Sequence, residues 1–247
     1  MKNLTAQYDL TIIVPIYNEE DNVTNLEKRL QAFLPQARYK SCVLFVNDGS
    51  KDRSLQLVEE ACRRNEDFFF LSFAANRGLS AAIKAGIDCC ESRFVGYMDA
   101  DLQTAPEDFN ILLEDIEQYP LVTGIRANRK DTGFKKLQSK IANGFRRRMT
   151  HDGAQDTGCP LKVLQTEYAR RIPFFTGMHR FLPALILLQD GGRYKQVPVR
   201  HFPRTAGQSK FSLGNRLVAP LMDCFVYRWM KKRYINYSIA QENVLRP

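Results

Sequence analysis

Within the first hundred residues, short apolar runs alternate with polar loops and amphipathic stretches four times. No other feature of this 247-residue chain constrains its fold as tightly. Residues 10–16 (LTIIVPI), interrupted by Pro15 and followed by Tyr17-Asn18-Glu19, have the length and apolarity of a buried strand feeding a loop. From Glu20 to Phe33, Val23, Leu26, Leu30 and Phe33 recur at helical spacing. Cys42 to Val46 is a second strand ending in Asn47-Asp48-Gly49-Ser50, and Asp52 is placed to cap a helix running to Arg64. Phe68 to Phe73 gives a third strand, Gly78 to Cys90 a helix of small residues, and Phe94 to Met98 a fourth strand. This is the signature of βαβ units on a parallel sheet covered on both faces. Such sheets bind ligands beyond the carboxyl ends of their strands. Asn18-Glu19, Asn47-Asp48, Asn76-Arg77 and Asp99-Ala100-Asp101 all fall at such ends, so one composite site is expected.

Beyond about residue 130 the pattern changes. Basic and aromatic residues become frequent, and one strand-like run, Tyr194 to Val199, precedes a loop. Phe134 to Met149 is a helix candidate with Phe134, Leu137, Ile141, Phe145 and Met149 on one stripe; Lys135, Lys136, Lys140 and Arg146 to Arg148 take other positions. A second apolar and basic segment, Ser212 to Tyr237, carries Leu213, Leu217, Val218, Leu221, Phe225, Val226 and Trp229. Pro220 is expected to kink it or to start a new helix. Helices of this type either lie in a bilayer interface with their cations at anionic headgroups or pack their stripe on a core. The net charge of +9 calls for an anionic partner, and nucleotides, lipid phosphates, bilayers and nucleic acids all qualify. The longest uncharged apolar run, Phe181 to Gln189, is too short to span a bilayer, so a membrane role is expected to be peripheral. The six cysteines form no C-x-x-C pair and the three histidines no zinc spacing. The cysteines are expected as reduced, mostly buried thiols of a cytosolic protein.

Asp99-Ala100-Asp101-Leu102-Gln103 carries the chemistry. Two carboxylates, two positions apart after a buried strand, suit a hard cation such as Mg²⁺ or Mn²⁺ that bridges nucleotide phosphates. A D-x-D alone is common and usually solvated, and only its place after the fourth strand gives it weight. Val14-Pro15-Ile16-Tyr17-Asn18-Glu19, Val46-Asn47-Asp48-Gly49-Ser50-Lys51-Asp52 and Asp99-Ala100-Asp101 together resemble the family 2 glycosyltransferases of GT-A fold. Asn76-Arg77-Gly78, Asp99 to Gln103 and above all Arg204-Thr205-Ala206-Gly207-Gln208-Ser209-Lys210-Phe211 resemble its polyprenyl- and dolichyl-phosphate sugar synthases. The likeness runs from residue 11 to about 211.

The resemblance implies an α/β, Rossmann-like GT-A domain over residues 1–211, with a mainly parallel sheet, a donor-binding half (1–125) and an acceptor half (126–211). A basic amphipathic helical segment, 212–247, follows. Pro15, Tyr17, Glu19 and Asp48 would line the nucleotide pocket, with Asp48 accepting a hydrogen bond from the base; Asn76, Arg77 and Asp99 would complete the donor site. Asp101 and Gln103 would ligate the metal, and Arg204, Ser209 and Lys210 would hold phosphate oxygens. His179 and Arg180 would face the acceptor phosphate. Asp156 occupies the place of an acidic residue near the acceptor, as a general base or as a positioning group, so that Asp101, Asp156 and Arg204 are the catalytic candidates. Cys159-Pro160-Leu161-Lys162 departs from the S/G-F-R pattern of relatives, which puts a role for Lys162 at the acceptor in question.

The implied reaction is inverting transfer from a nucleoside-diphosphate sugar, uridine favoured over guanosine, to a polyprenyl phosphate at the cytoplasmic face of a membrane. Homo-oligomerisation stays open. The alternatives are a hydroxyl acceptor on a glycan or glycolipid, and a non-catalytic nucleotide-sugar- or nucleic-acid-binding protein. Nucleic-acid binding would leave the carboxylate pair and the strand-end Asn/Asp clusters without a role. The chain has neither the G-K-[ST] ending of a P-loop nor a G-x-S-x-G elbow.

Overall fold

The computed structural model describes residues 4–126, 144–203 and 213–236. Seven strands form one sheet: β1 (Leu10–Ile16), β2 (Ser41–Asn47), β3 (Phe68–Ser72), β4 (Phe94–Tyr97), β5 (Leu121–Arg126), β6 (Lys162–Gln165) and β7 (Tyr194–Val199). Their order is β3-β2-β1-β4-β6-β5-β7. Every neighbouring pair is parallel except the two made by β6, which runs antiparallel to β4 and to β5. Two reversals restore the direction, so β5 and β7 point the same way as β1 to β4. The carboxyl ends of six strands therefore share one edge with the amino end of β6.

The central strands are apolar on both sides because both sides are covered. Leu10, Ile12, Val14 and Ile16 of β1 face a layer built by α1 (Glu20–Phe33), α2 (Ser54–Arg64) and α4 (Phe109–Leu113). Ile13 faces the opposite layer, built by α3 (Leu79–Cys89), α6 (Thr166–Arg170), α7 (Leu182–Ile186) and the inner side of α8 (Leu213–Lys231). The four expected strands and three expected helices of the first hundred residues are all present, with ends shifted by a few residues. The expected run Tyr194 to Val199 is β7. β5 and β6 were not expected. β6 is only four residues long and opens on a lysine, and β5 carries Gly124 in its interior, so neither shows the long apolar run of a central strand.

Two expectations about the basic helices change. The described end of the first one is α5 (residues 144–150), and Arg146 on it does not face outward. Its guanidinium is buried in an ion pair with Asp152 and donates to the Ala154 carbonyl at 2.7 Å; Met149 joins the core. This end of the stripe packs inward, and residues 134–143 lie outside the described part. α8 runs unbroken through Pro220 rather than restarting there. Cys224 and Tyr227 face the core, while Leu221, Met222, Phe225, Val226 and Trp229 are exposed. Among the described residues no helix is long and apolar enough to cross a membrane. All six cysteines are free.

Candidate active site

The strand order brings the loops after β3, β2, β1 and β4 side by side, and Asp48 binds two of them together. Only 4% of this residue is exposed. Its Oδ1 accepts from the Arg77 amide at 2.6 Å, and its Oδ2 accepts from the Gly78 amide at 2.9 Å and from Asn76 Nδ2 at 2.8 Å. α3 begins one residue later, so the carboxylate fills the N-terminus of that helix, where free amides and the helix dipole favour an anion. Asp48 thus spends most of its acceptor capacity on the chain's own N–H groups and organises these loops. Gly49 lets the two loops touch: it has a φ of +66°, and a Cβ there would lie 2.6 Å from the Ala75 carbonyl carbon.

The loop after β1 is fastened to the same structure. Asn18 takes the left-handed conformation at φ 50°, which asparagine tolerates, and its Oδ1 accepts from the Lys51 amide at 2.8 Å. The Glu19 amide donates to Ser54 Oγ at 2.7 Å, and the Glu19 carboxylate accepts from Asn22 Nδ2 at 2.7 Å. Pro15, Tyr17 and Glu19 stay half-buried on the rim, and Asn76 and Arg77 are exposed beside them.

The carboxylate pair follows β4. Tyr97, buried in that strand, donates its hydroxyl to Asp99 Oδ1 at 2.5 Å. Burial, and then the charge of Asp101, push the Asp99 carboxyl up to about 6. Leu102 has φ +55°, an uncommon conformation for a residue of its type, and the bend lets the Gln103 amide donate back to Asp101 Oδ1 at 3.1 Å. The Gln103 carbonyl accepts from the Phe202 amide at 2.9 Å. Arg200 is fixed to Asp108 through its amide at 2.7 Å and its Nε at 2.8 Å. The residues that lead into segment 204–211 are therefore tied to the carboxylate loop. Arg204, Ser209 and Lys210 themselves lie outside the described residues.

Among the described residues no cluster of three or more His, Cys, Asp or Glu side chains could hold a metal by itself. The strand end offers carboxylate and amide oxygens instead. A Mg²⁺-like ion takes one or two protein carboxylates and fills its shell with substrate phosphates and water, so Asp101 and Gln103 fit such an ion.

The acceptor-side candidates come together less completely. Asp156 is forked by Arg126, Oδ2 to Nε at 2.8 Å and Oδ1 to an Nη at 2.8 Å, and also accepts from the Gly158 amide at 3.1 Å. Burial raises its pKa, but the hydrogen bonds and charge of Arg126 outweigh this and hold the carboxyl below its ordinary value. A general base needs a pKa nearer the working pH, so the geometry favours positioning over proton abstraction. His179 Nδ1 lies 2.7 Å from Ser80 Oγ; burial and then the charge of Arg180 push it down to about 3. The half-buried Arg180 guanidinium makes no ion pair among the described residues; burial lowers its pKa and the charge of Asp223 opposes that shift. Lys162 does not reach outward. It is 2% exposed, with its Nζ bonded to the Cys159 carbonyl. Sequence reading did not single out Arg126 or Tyr97. Arg126 would have stood out had β5 been recognised, since it closes that strand at its carboxyl end.

Comparison with known proteins settles the family. Residues 11–177 match the model of Glycosyl transferase family 2. The chain belongs to this family. It is 34% identical over 206 residues to the undecaprenyl-phosphate 4-deoxy-4-formamido-L-arabinose transferase of Pseudomonas fluorescens, covering 82% of this chain and 60% of that one. It is 31% identical over 232 residues to the dodecaprenyl-phosphate galacturonate synthase of Rhizobium johnstonii, covering 91% and 69%. The chain thus spans roughly 60–69% of the length of these relatives. In fold it is similar to a mannosyltransferase of Pyrobaculum calidifontis solved with GDP-mannose and Mn²⁺ (TM-score 0.64, 16% identity, 96% of this chain and 67% of that one). A second neighbour is the glucosyl-3-phosphoglycerate synthase of Mycobacterium tuberculosis with Mn²⁺, UDP-glucose and phosphoglyceric acid (TM-score 0.67, 13% identity, 92% and 81%). The sheet and its helices are accordingly of the GT-A type.

The approach of Gly49 to Ala75 and Asn76 makes a direct prediction. Gly49→Ala combines a disfavoured φ, worth about 1–2 kcal/mol, with a backbone clash. Its thermal midpoint should fall by at least about 3 °C, as followed by circular dichroism. An unchanged midpoint would show that the two loops are not in contact.

Proposed function

We propose that this chain moves a sugar from a nucleoside-diphosphate sugar to the phosphate of a polyprenyl phosphate, with inversion, at the cytoplasmic face of a membrane. The observation that carries this reading is its likeness, over 82–91% of the chain, to enzymes named for sugar transfer to polyprenyl phosphates. The state of Asp156 supports the same acceptor. A hydroxyl would need a base to take its proton, and Asp156, the acidic candidate on the acceptor side, has both oxygens engaged by Arg126 and its basicity lowered by that charge. A phosphate is already anionic at neutral pH and attacks without one.

In this mechanism an acceptor phosphate oxygen bonds to the anomeric carbon as the bond from that carbon to the diphosphate breaks, and the nucleoside diphosphate leaves. Pro15, Tyr17, Glu19, Asn76 and Arg77 form the donor rim, and the loops organised by Asp48 hold its shape. Asp99 supports the sugar side of the donor. Asp101 and Gln103 would hold a divalent cation, which supplies Lewis-acid stabilisation of the departing diphosphate. Mn²⁺ in both structural neighbours supports that assignment. Arg180, with Arg204, Ser209 and Lys210, would bind phosphate oxygens, with His179 beside them as a neutral group. The protein's work is positioning and charge stabilisation. Uridine donors remain favoured, as they were from the sequence.

The exposed face of α8 supports membrane docking. Phe225 and Trp229 are 56% and 61% exposed beside Arg228, Lys231, Lys232 and Arg233, an apolar face rimmed by cations that suits an anionic bilayer.

Two measurements test the reading. With Mg²⁺ or Mn²⁺ and a panel of UDP- and GDP-sugars, nucleoside diphosphate release should require both the metal and a short polyprenyl phosphate. Asp101→Ala should lower release at least about 10²-fold. Release that is indifferent to metal and to this substitution would refute the proposed donor chemistry. Sedimentation with vesicles containing anionic lipid should retain the wild type and lose most of the Phe225→Glu/Trp229→Glu variant. Equal retention would remove α8 from the docking face.

A further inference from the structure

Ser80 joins the donor loop to the turn that carries His179. It lies in the first turn of α3, two residues past Gly78, whose amide Asp48 holds, and it is 6% exposed. Its Oγ makes two contacts with a segment 97 and 99 positions further on. The Gly177 amide donates to it at 3.1 Å, and His179 Nδ1 lies 2.7 Å away. The turn depends on a glycine for this approach. Gly177 takes φ +90°, and a Cβ there would run into the Asp223 carboxylate of α8. The Arg180 amide donates to the Gly177 carbonyl at 3.2 Å, and Met178 and Phe181 are buried on either side, so the His179 ring projects from a fixed turn.

Counting donors and acceptors places the hydrogen between Ser80 and His179. A serine hydroxyl has one hydrogen to give, and a neutral imidazole has one N–H and one bare nitrogen. Ser80 Oγ already accepts the Gly177 amide, and among the described residues the hydroxyl makes no bond other than the one to Nδ1. If Nδ1 carried a hydrogen, Oγ would accept twice and its own hydrogen would be left without a partner in a buried place, at the cost of a lost hydrogen bond. A doubly protonated ring fails the same count. Donation from Ser80 to Nδ1 satisfies every group and leaves the ring hydrogen on Nε2, since the bond made by one ring nitrogen sets the state of the other. The ring is half-buried, and Nε2 bonds to nothing among the described residues.

We infer that Ser80 is a positioning residue: it fixes His179 as the Nε2–H tautomer and holds that N–H, beside the donor loop, as a hydrogen-bond donor for an oxygen of the acceptor phosphate. Ser80 itself touches no substrate. It ties the turn of His179 to the helix whose first amides close the donor loop, so the donor and acceptor sides share one anchor. A neutral N–H orients a phosphate oxygen without cancelling the charge with which that phosphate attacks. The part played at the acceptor rests on the proposed sugar transfer; the tautomer and the anchor do not.

Long-range ¹H–¹⁵N spectra of the ligand-free protein with labelled histidine rings read the tautomer directly, and His179→Gln identifies the His179 signals. At neutral pH the wild type should show hydrogen on Nε2 and a bare Nδ1. Ser80→Thr, which keeps the hydroxyl, should preserve this pattern, and Ser80→Ala should shift it towards the averaged pattern of a free imidazole. Hydrogen on Nδ1 in the wild type, or a pattern unchanged in Ser80→Ala, would overturn the assignment. If Ser80→Ala does not fold, the wild-type and Ser80→Thr spectra still decide it. With the best donor found, Ser80→Ala should raise the KM for a short polyprenyl phosphate at least about fivefold with donor KM within about twofold, and Ser80→Thr should recover most of the loss. His179→Ala should show the same selective loss, and the double variant should lose less than the product of the two. An unchanged acceptor KM in Ser80→Ala, or an equal rise for donor and acceptor, would remove the acceptor role. Absence of turnover in the wild type itself would instead sink the proposed reaction and leave the spectra to decide the tautomer.

Discussion

The hydrogen bonds accepted by Asp48 set the shape of the ligand edge. A parallel sheet ends in loops whose backbone groups have no ladder to join, and a buried amide left without an acceptor costs as much as a lost hydrogen bond. Here one carboxylate takes the amides of Arg77 and Gly78 and the side chain of Asn76, and so joins the loop after β2 to the start of α3. Gly49 permits the contact, and Asn18 carries the fastening across to the loop after β1. These loops present half-buried and exposed groups to a ligand because their own polar groups are already satisfied.

The charges are sorted with similar economy. The chain carries a net +9, yet it sets Asp99 and Asp101 together after β4 and holds Asp156 on Arg126 at the carboxyl end of β5. Carboxylates at a site for an anionic nucleotide make sense if a cation bridges the two. An Asp156 locked to Arg126 makes sense if the acceptor needs orientation more than deprotonation. Arg126 is forked onto Asp156 and Lys162 is buried on the Cys159 carbonyl, whereas Arg180 makes no ion pair among the described residues and feels the charge of Asp223.

The first hundred residues were legible because their signals are local. Val23, Leu26, Leu30 and Phe33 face one layer at helical spacing, and β1 and β2 are apolar on both sides because both are covered. Asp99 and Asp101 could be picked out by their place after such a strand. What escaped depends on pairings distant in sequence. The partner of Asp156 is thirty positions away on an unexpected strand, and no motif shows that Lys162 turns inward. Burial likewise decides that His179 is neutral and that Arg146 is paired with Asp152, and neither composition nor period reports burial of a charged residue.

The central claim concerns where the sugar goes, and mass spectrometry of the lipid fraction after a reaction with donor, Mn²⁺ and a short polyprenyl phosphate tests it most directly. The account predicts a polyprenyl phosphate heavier by one sugar residue, formed in step with nucleoside diphosphate release. Release with the lipid phosphate unmodified, and the sugar found on water or on a hydroxyl acceptor, would contradict it.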